Sequence, residues 1–282
     1  MPELPEVETV RQGLVDWTLG RTIIDVEVRH PRAVRRHLPG PRDFEDHLKG
    51  QIIEGVHRRG KYLWFSLTDF PLIAHLGMSG QFRVEKEELQ HRHMRVNFTL
   101  DEGQLLFLDQ RTFGGFHIDE WAGVESERVP VSISHIGLDP FDPAFDMELA
   151  TGQLRSKRSE VKRILLDQRV VSGVGNIYAD EALFRAEIHP RRLASSLTRA
   201  EARLVLEQAQ AVMAQALAAG GTSFDALYVN VNGESGYFDR ALSVYQRQGE
   251  PCPRCAAVIK REEFMNRGSH FCPRCQRAPR SR

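Results

Sequence analysis

The four cysteines of the chain form two Cys-x-x-Cys pairs, and this arrangement restricts the C-terminal fold more than any other feature of the sequence. Cys252 and Cys255 make the first pair, and Cys272 and Cys275 make the second after sixteen intervening residues. This spacing is typical of one structural zinc ion bound by four thiolates. Because four protein ligands fill a tetrahedral site, we expect the ion to hold a β-hairpin and to take no part in catalysis.

The cysteines have two other interpretations. Two disulfides would need an oxidising compartment, whereas the chain lacks the basic start and apolar stretch of a signal peptide. No apolar run approaches the ~20 residues that a membrane helix needs. We therefore expect a cytoplasmic protein that does not contact a membrane. A catalytic zinc would need a further His or carboxylate ligand and an open coordination position, and the complete four-cysteine set argues against it.

The length and the charge distribution of the chain bound its class. Its 282 residues are enough for two domains, each with its own core. The 38 basic and 38 acidic residues give a formal charge of zero, but the charges are segregated. Basic residues outnumber acidic ones by nine to four over 29–61, six to two over 155–169 and eight to two over 251–282. Segregated positive charge in a neutral chain indicates a surface that follows a phosphate backbone.

Apolar periodicity predicts an α+β fold. The residues from Val7 to Asp16 have the spacing of a helix, and seven stretches with a period of two predict strands. The predicted strands are 23–28, 51–56, 62–66, 72–75, 81–84, 94–100 and 104–109. Short strands separated by turns indicate a β-sandwich. Farther along the chain the pattern is helical, and Thr198 with Glu201 predicts a capping box for a long helix that ends at Gly220.

These patterns predict four segments. Residues 1–130 form a β-sandwich domain with an N-terminal helix, and the acidic, proline-containing residues 131–148 form a linker. Residues 149–244 form a helical domain with a Gly-rich loop at about 220–238, which is long enough to be a lid. Residues 245–282 carry the four-cysteine zinc finger.

The first residues of the chain place a proline beside a carboxylate. If Met1 is removed, Pro2 becomes a secondary amine with Glu3 next to it. An α-amino group has a pKa near ~8, so part of it is unprotonated at neutral pH and can attack an electrophilic carbon to form an iminium. Glu3 is then placed to donate or accept the proton. The alternative is structural, because Pro and Glu also favour the first turn of a helix.

Two stretches of the predicted β domain carry further candidates. Lys61 follows a pair of arginines directly before a strand, where it can reach a phosphate or can simply be a solvated strand end. His75 and Met78 lie in a segment that also contains two glycines. A Met in a loop usually fills space, but an exposed one can insert into a base stack.

Two more stretches carry candidates. One combines a polar and an aromatic side chain, and the other combines glycines with an asparagine. Arg111 and Phe113 are two residues apart, which places them on one side of an extended segment, although Phe113 alone is typical of a core. Asn176 follows Gly173 and Gly175 at a predicted helix start. Asn caps helices well, and a helix N-terminus also presents N–H groups to an anion such as phosphate.

Five of these features occur in the same order in one known family. The chain opens with Met-Pro-Glu-Leu-Pro-Glu-Val-Glu-Thr-Val. This opening, the Lys61 segment, the loop of Arg111 and Phe113, the turn before Asn176 and the zinc knuckles resemble those of bacterial formamidopyrimidine-DNA glycosylases. The resemblance extends from residue 1 to about residue 277. It implies a β-sandwich, a helix–two-turn–helix domain and a β-hairpin zinc finger.

The resemblance implies a bifunctional enzyme of base-excision repair. Such an enzyme removes oxidised purines, namely 8-oxoguanine and formamidopyrimidines, from double-stranded DNA. Pro2 is expected to form a Schiff base with the deoxyribose while Glu3 transfers protons, and β- and δ-elimination then cut the strand. We expect a monomer that works on the nucleoid.

The resemblance also implies roles for the other candidates. Met78, Arg111 and Phe113 are expected to fill the gap left by the everted base and to probe its partner. The expected phosphate-binding residues are Lys61, His75, Asn176 and Arg267. The expected catalytic residues are Pro2, Glu3, Glu6, Lys61 and Arg267. Glu6 either holds the terminus or contacts the base pocket.

Two alternative functions follow from the same residues. Endonuclease VIII is the sister branch and prefers oxidised pyrimidines, but Leu4, Val7 and Glu8 favour the purine-specific branch. A non-catalytic zinc-finger protein that binds DNA would explain Asn176 and Arg267, but it would leave the Pro-Glu terminus without a purpose.

Overall fold

The computed structural model describes residues 2–124, 128–220 and 242–279. The chain divides into two compact units. The first unit reaches His135, and the second contains Ile136–Ala219 together with the C-terminal residues from 242 onward. The loop predicted at 220–238 lies, except for Gly220, outside the described residues.

Eight strands of the first unit form two four-stranded antiparallel sheets. The strands are β1 (Ile23–Val28), β2 (Ile53–Arg59), β3 (Tyr62–Leu67), β4 (Pro71–His75), β5 (Gly80–Glu85), β6 (Met94–Leu100), β7 (Gln104–Asp109) and β8 (Gly115–Ile118). One sheet has the order β1-β6-β7-β5 and the other has the order β2-β3-β4-β8. Two short strands, β9 (Trp121–Ala122) and β10 (Val129–Pro130), form a separate two-stranded sheet. All seven predicted strands are present, whereas β8, β9 and β10 were not predicted.

The two sheets share one hydrophobic core, which confirms the predicted β-sandwich. Aromatic rings from both sheets meet at its centre. These rings belong to Phe65, Phe82, Phe98, Phe107 and Phe116. The closest pair, Phe107 and Phe116, has ring centroids 4.8 Å apart in an edge-to-face arrangement. Each such side chain contributes about 1.5–3 kcal/mol by its removal from water, so the cluster is a major source of the stability of this unit.

Two helices flank the sandwich. The predicted N-terminal helix is present as α1 (Leu4–Thr18), with Val7, Val10 and Leu14 buried in the core. The second helix, α2 (Pro41–Leu48), was not predicted. Its buried face consists of only Phe44 and Leu48, so its sequence lacks a full apolar stripe, and the Pro at its first turn marks its start.

The second unit contains four α-helices and one β-hairpin among its described residues. The helices are α3 (Met147–Ser156), α4 (Val161–Leu165), α5 (Asn176–Arg185) and α6 (Arg199–Ala218). The hairpin pairs β11 (Lys260–Phe264) with β12 (Arg267–Phe271). The capping box of Thr198 and Glu201 is confirmed at the start of α6. The prediction of Asn176 as a helix cap is wrong by one residue, because Gly175 is the N-cap of α5 and the Asn176 amide bonds elsewhere.

No helix within the described ranges is both long enough and apolar enough to cross a lipid bilayer. The longest of them, α6, has 20 residues and includes charged side chains in several of its turns.

Two loops of the first unit touch through their backbones. The loop after β4 contains Gly77 at φ +64°, and the loop after β7 contains Phe113 and Gly114. A Cβ atom on Gly77 would lie 2.4 Å from the Gly114 nitrogen and 2.5 Å from the Phe113 carbonyl carbon. No side chain fits in this space, so glycine at position 77 allows the two loops to pack against each other.

Replacing Gly77 with Ala should therefore destabilise the first unit more than the same change at a comparable open glycine. Gly20 is the matched control, because it has φ +76° and nothing within 4 Å of a Cβ atom. We expect Gly20→Ala to cost about 1 kcal/mol for the left-handed conformation. Gly77→Ala should cost about 3 kcal/mol, because the loops must also separate. Urea unfolding of both variants measures this difference, and equal losses would contradict the close approach.

Candidate functional site

The first turn of α1 is held by a reciprocal pair of hydrogen bonds. The Glu6 carboxylate accepts the backbone N–H of Glu3 at 2.8 Å, and the Glu3 carboxylate accepts the backbone N–H of Glu6. Both side chains are buried. This capping box satisfies two N–H groups that a helix start leaves unpaired. It fixes the backbone directly after Pro2.

Glu8 ties α1 to the strand that leads to Lys61. Its carboxylate accepts hydrogen bonds from Arg11 and, at 2.9 Å, from Arg58 near the end of β2. Arg58 also donates to the Gly60 carbonyl oxygen at 3.1 Å. Burial favours the neutral acid, but the hydrogen bonds and charges of the two arginines outweigh it and hold the pKa of Glu8 below its usual value. No local pattern predicted this link, because 50 residues separate its partners in the sequence.

Lys61 and His75 lie at neighbouring strand ends in a basic environment. Burial, followed by the charges of Arg36, Arg35 and Lys61, lowers the pKa of His75 to about 4. His75 is therefore neutral at physiological pH. Its Nδ1 accepts the backbone N–H of Gly77 at 3.0 Å, which leaves the proton on Nε2 as a donor. The imidazole can donate a hydrogen bond to a phosphate, but it adds no positive charge.

A small open pocket lies beside His75. Its polar lining comes from His75, Arg35 and Arg36, and its other wall is formed by Phe113 and the glycines that follow.

The three residues predicted to fill the gap in DNA lie on the two loops that meet at Gly77. Met78 and Phe113 are 39% and 40% exposed, respectively, which is unusual for large apolar side chains that follow buried strands. The guanidinium carbon of Arg111 lies 5.2 Å from the centroid of the Phe113 ring. The structure therefore places Met78, Arg111 and Phe113 on one joined pair of loops.

A buried carboxylate organises the second of these loops. Asp109, at the end of β7, is 1% exposed. It accepts the backbone N–H groups of Arg111 at 3.1 Å and Gly114 at 2.7 Å, and the Ser79 hydroxyl donates to it at 2.6 Å. Asp109 thus links the Arg111 loop to the loop that carries Met78.

In the second unit, Asn176 and the hairpin residue after Arg267 are in contact. The side-chain amide of Asn176 donates to the Gly268 carbonyl oxygen at 2.9 Å. Its own carbonyl oxygen is buried without a partner among the described residues. The Arg267 side chain is exposed at the start of β12. The fold therefore brings Asn176 into contact with the hairpin at Gly268, directly after Arg267, although the two segments are far apart in the sequence.

Two consecutive carboxylates on α5 anchor the C-terminal segment. Asp180 pairs with Lys162 at 2.6 Å, with both side chains fully buried, and accepts the backbone N–H of His270 at 2.9 Å. Glu181 accepts the backbone N–H groups of Ser243, Val244 and Tyr245.

These anchors were not predicted from the sequence. The only signal was charge within otherwise apolar helical stretches, where Lys162 lies between Val161 and Ile164.

The four cysteine thiols form a site that fits zinc. All four sulfur atoms lie within 4.8 Å of one another, and none of the cysteines is in a disulfide. The Cys252–Cys275 and Cys255–Cys272 sulfur distances are 4.0 Å and 3.5 Å. A tetrahedral site with Zn–S bonds of about 2.3 Å separates its sulfurs by about 3.8 Å. Backbone N–H groups of Arg254 and Cys275 point at two of the sulfurs, as expected for thiolate ligands.

Comparison with known proteins covers almost the whole chain. Residues 1–116 match the formamidopyrimidine-DNA glycosylase N-terminal domain, and residues 136–227 match the helix–two-turn–helix domain of the same enzymes. Residues 249–278 match the zinc finger found in these glycosylases and in isoleucyl-tRNA synthetase. The four cysteines are thus the ligands of one structural zinc ion, as predicted.

Individual relatives agree with the family models. The chain is 56% identical to the formamidopyrimidine-DNA glycosylase of Mycobacterium leprae (strain Br4923), with 99% of this chain and 100% of the relative covered. It is also 56% identical to that of Rhodococcus opacus (strain B4), with 99% and 98% covered.

A solved structure extends the agreement to the fold. The crystal structure of a Lactococcus lactis FPG mutant in complex with Fapy-dG containing DNA matches with a TM-score of 0.86 and 35% identity. The match covers 98% of this chain and 100% of that one. The predicted resemblance, the α+β fold and the predicted enzyme class are therefore confirmed. The chain belongs to the formamidopyrimidine-DNA glycosylase family.

Proposed function

We propose that this chain removes oxidised purines from double-stranded DNA through a Schiff base on Pro2 and then cleaves the strand at the resulting site. The observation that carries the proposal is the capping box of Glu3 and Glu6, which fixes the backbone after Pro2 and buries a carboxylate next to it. The Fapy-dG DNA bound by the Lactococcus lactis relative supports a damaged purine as the substrate.

The chemistry begins once Met1 has been removed. The Pro2 nitrogen attacks C1′ of the damaged nucleotide, the N-glycosidic bond breaks, and the base leaves with a proton. The Glu3 carboxylate transfers protons at this step and at the opening of the sugar. Glu6 is a positioning residue that acts through Glu3.

Strand cleavage follows from the iminium between Pro2 and the sugar. β-Elimination breaks the C3′–O bond and leaves a 5′-phosphate on the downstream fragment. δ-Elimination breaks the C5′–O bond and leaves a 3′-phosphate on the upstream fragment. Hydrolysis of the remaining adduct releases the sugar fragment and restores Pro2.

Met78, Arg111 and Phe113 act before the chemistry by occupying the space of the everted base. Phe and Met provide an apolar wedge, and Arg provides donors for the base left without a partner. Their common position on two loops in contact at Gly77, and the exposure of Met78 and Phe113, support this role.

The DNA backbone is bound by Lys61, His75, Asn176 and Arg267. We propose that Lys61 and Arg267 contribute charge near the reacting sugar, whereas His75 and Asn176 contribute hydrogen bonds. The neutral state of His75 supports this division. The zinc ion cross-links the two cysteine knuckles and thereby holds the hairpin that carries Arg267.

Each segment predicted from the sequence has its own role in the proposed function. Residues 1–130 provide the chemistry, 131–148 connect, 149–244 bind DNA and include a lesion-recognition loop at about 220–238, and 245–282 form the zinc finger. We propose that the protein acts as a monomer on chromosomal DNA in the cytoplasm.

A duplex with one 8-oxoguanine opposite cytosine should be cut into fragments that carry phosphate at both new ends. Glu3→Gln should slow base release about 100-fold, because general acid–base catalysis contributes on that order. The measurement is single-turnover cleavage of end-labelled DNA, with fragment ends identified by their gel mobility.

Glu54→Gln is the matched control for this test, because Glu54 is an exposed residue of β2 in the same unit. Its rate should equal that of the unmodified protein. Absence of cleavage by the unmodified protein would reject the proposed function. Equal slowing by both substitutions would reject the role of Glu3.

The salt dependence of DNA binding should separate Lys61 from His75. Each cation on a phosphate adds about one unit to the slope of log Kd against log salt concentration. Lys61→Met should therefore lower the slope by about one, whereas His75→Gln at pH 7 should weaken binding without changing the slope, because the pKa of His75 is about 4. Fluorescence anisotropy at several salt concentrations measures both. A lower slope for His75→Gln would mean that the imidazole is charged in the complex.

A further inference from the structure

Arg35 bonds to three backbone carbonyl groups rather than to acidic side chains. It donates to the carbonyl oxygens of Phe113 at 2.7 Å, Gly114 at 2.9 Å and Arg32 at 2.8 Å. The first two bonds join segments almost 80 residues apart in the sequence. Charged donors make stronger hydrogen bonds than neutral ones, and the planar guanidinium fixes their directions. Arg35 therefore holds the loop of Phe113 against the segment that follows β1.

The loop that Arg35 holds is strained. Thr112 has φ +53°, a left-handed conformation that is costly for a β-branched residue. Such a conformation persists only where the surroundings determine it. Here Asp109 binds the N–H groups of Arg111 and Gly114 from one side, and Arg35 binds the carbonyl groups of Phe113 and Gly114 from the other.

This double attachment fixes the peptide on both sides of the Phe113 ring. The ring is 40% exposed, so the bonds hold it in a position that its own burial does not determine. A wedge held in place before it meets DNA does not have to be ordered during insertion, which removes an entropic cost from that step.

We propose that Arg35 is a positioning residue that keeps Phe113 preformed as the wedge for base eversion. This inference rests on the proposed function. Arg35 acts through the Phe113 backbone, and its donors are directed at protein carbonyl groups instead of DNA phosphates. Its loss should slow eversion of an intact damaged nucleotide and should have little effect where no base has to be everted.

The test compares two substrates and three variants. The substrates are a duplex with 8-oxoguanine and a duplex with an abasic site, which has no base to evert. The variants are Arg35→Gln, Arg35→Lys and the control Arg42→Gln, which removes an exposed charge from α2 in the same unit.

We expect both Arg35 variants to excise 8-oxoguanine about tenfold more slowly, which corresponds to loss of about one strong hydrogen bond. Cleavage at the abasic site should stay within about twofold of the unmodified protein. Lysine should not rescue, because an ammonium group cannot reproduce the planar fork. Arg42→Gln should behave like the unmodified protein on both substrates.

A phosphate contact by Arg35 would give a different result and would overturn the proposal. Arg35→Lys would then restore the rate, and Arg35→Gln would slow both substrates together. A double-mutant cycle with Phe113→Ala gives a second criterion. If Arg35 acts through Phe113, Arg35→Gln should add less than about twofold to the loss caused by Phe113→Ala.

Hydrogen–deuterium exchange without DNA separates this inference from the proposed function. Residues 111–115 should exchange at least several-fold faster in Arg35→Gln and Arg35→Lys than in the unmodified protein, while the strands of the core stay protected. Unchanged exchange would show that Arg35 does not hold the loop of Phe113 and would reject this inference. If exchange increases but the unmodified protein cleaves neither substrate, the proposed function is rejected, whereas the attachment of the Phe113 loop by Arg35 is confirmed.

Discussion

A carboxylate that is buried must be hydrogen-bonded, and this requirement organises the segments that carry the functional side chains. Five of the six carboxylates that are buried among the described residues bind backbone N–H groups in these segments, namely Glu3, Glu6, Asp109, Asp180 and Glu181. In the first unit they fix the helix start after Pro2 and the loop of Phe113. In the second unit they fix the β12 segment after Arg267 and the approach to the zinc finger. Leaving any of these carboxylates unpaired would cost about 1–3 kcal/mol or more, so each of them favours the one backbone conformation that supplies its N–H partners.

The hydrophobic core alone does not determine the conformation of these segments. The phenylalanine cluster between the sheets stabilises the first unit, but apolar packing does not define the conformation of loops at the strand ends. Those loops are instead fixed by polar contacts and by close backbone approach, as at Gly77. The zinc site has a similar task in the second unit, where Cys252 and Cys272 pack with Phe184 in a small apolar cluster. Structural metal replaces the core that so short a segment lacks.

Local pattern predicted most elements, and long-range polar pairs explain what it missed. Period-two alternation located seven strands, the cysteine spacing located the metal site, and Thr198 with Glu201 located the start of α6. The helix α2 was missed because two buried apolar residues are too few to show a period. Pairs such as Glu8 with Arg58, Lys162 with Asp180 and Arg35 with the Phe113 carbonyl join residues that only the fold brings together. The lowered pKa of His75 likewise depends first on its burial in the fold and then on three cations from other segments. No sequence window contains that information.

The most direct test of the central claim is to identify the atom that bonds to the sugar. The full-length protein is incubated with duplex DNA that contains 8-oxoguanine opposite cytosine, borohydride is added, and the trapped adduct is mapped by mass spectrometry. We expect the adduct on the nitrogen of Pro2 in a peptide that lacks Met1, and no adduct after the terminal amine has been blocked. Tight DNA binding without an adduct, or an adduct on a lysine, would contradict the role of Pro2.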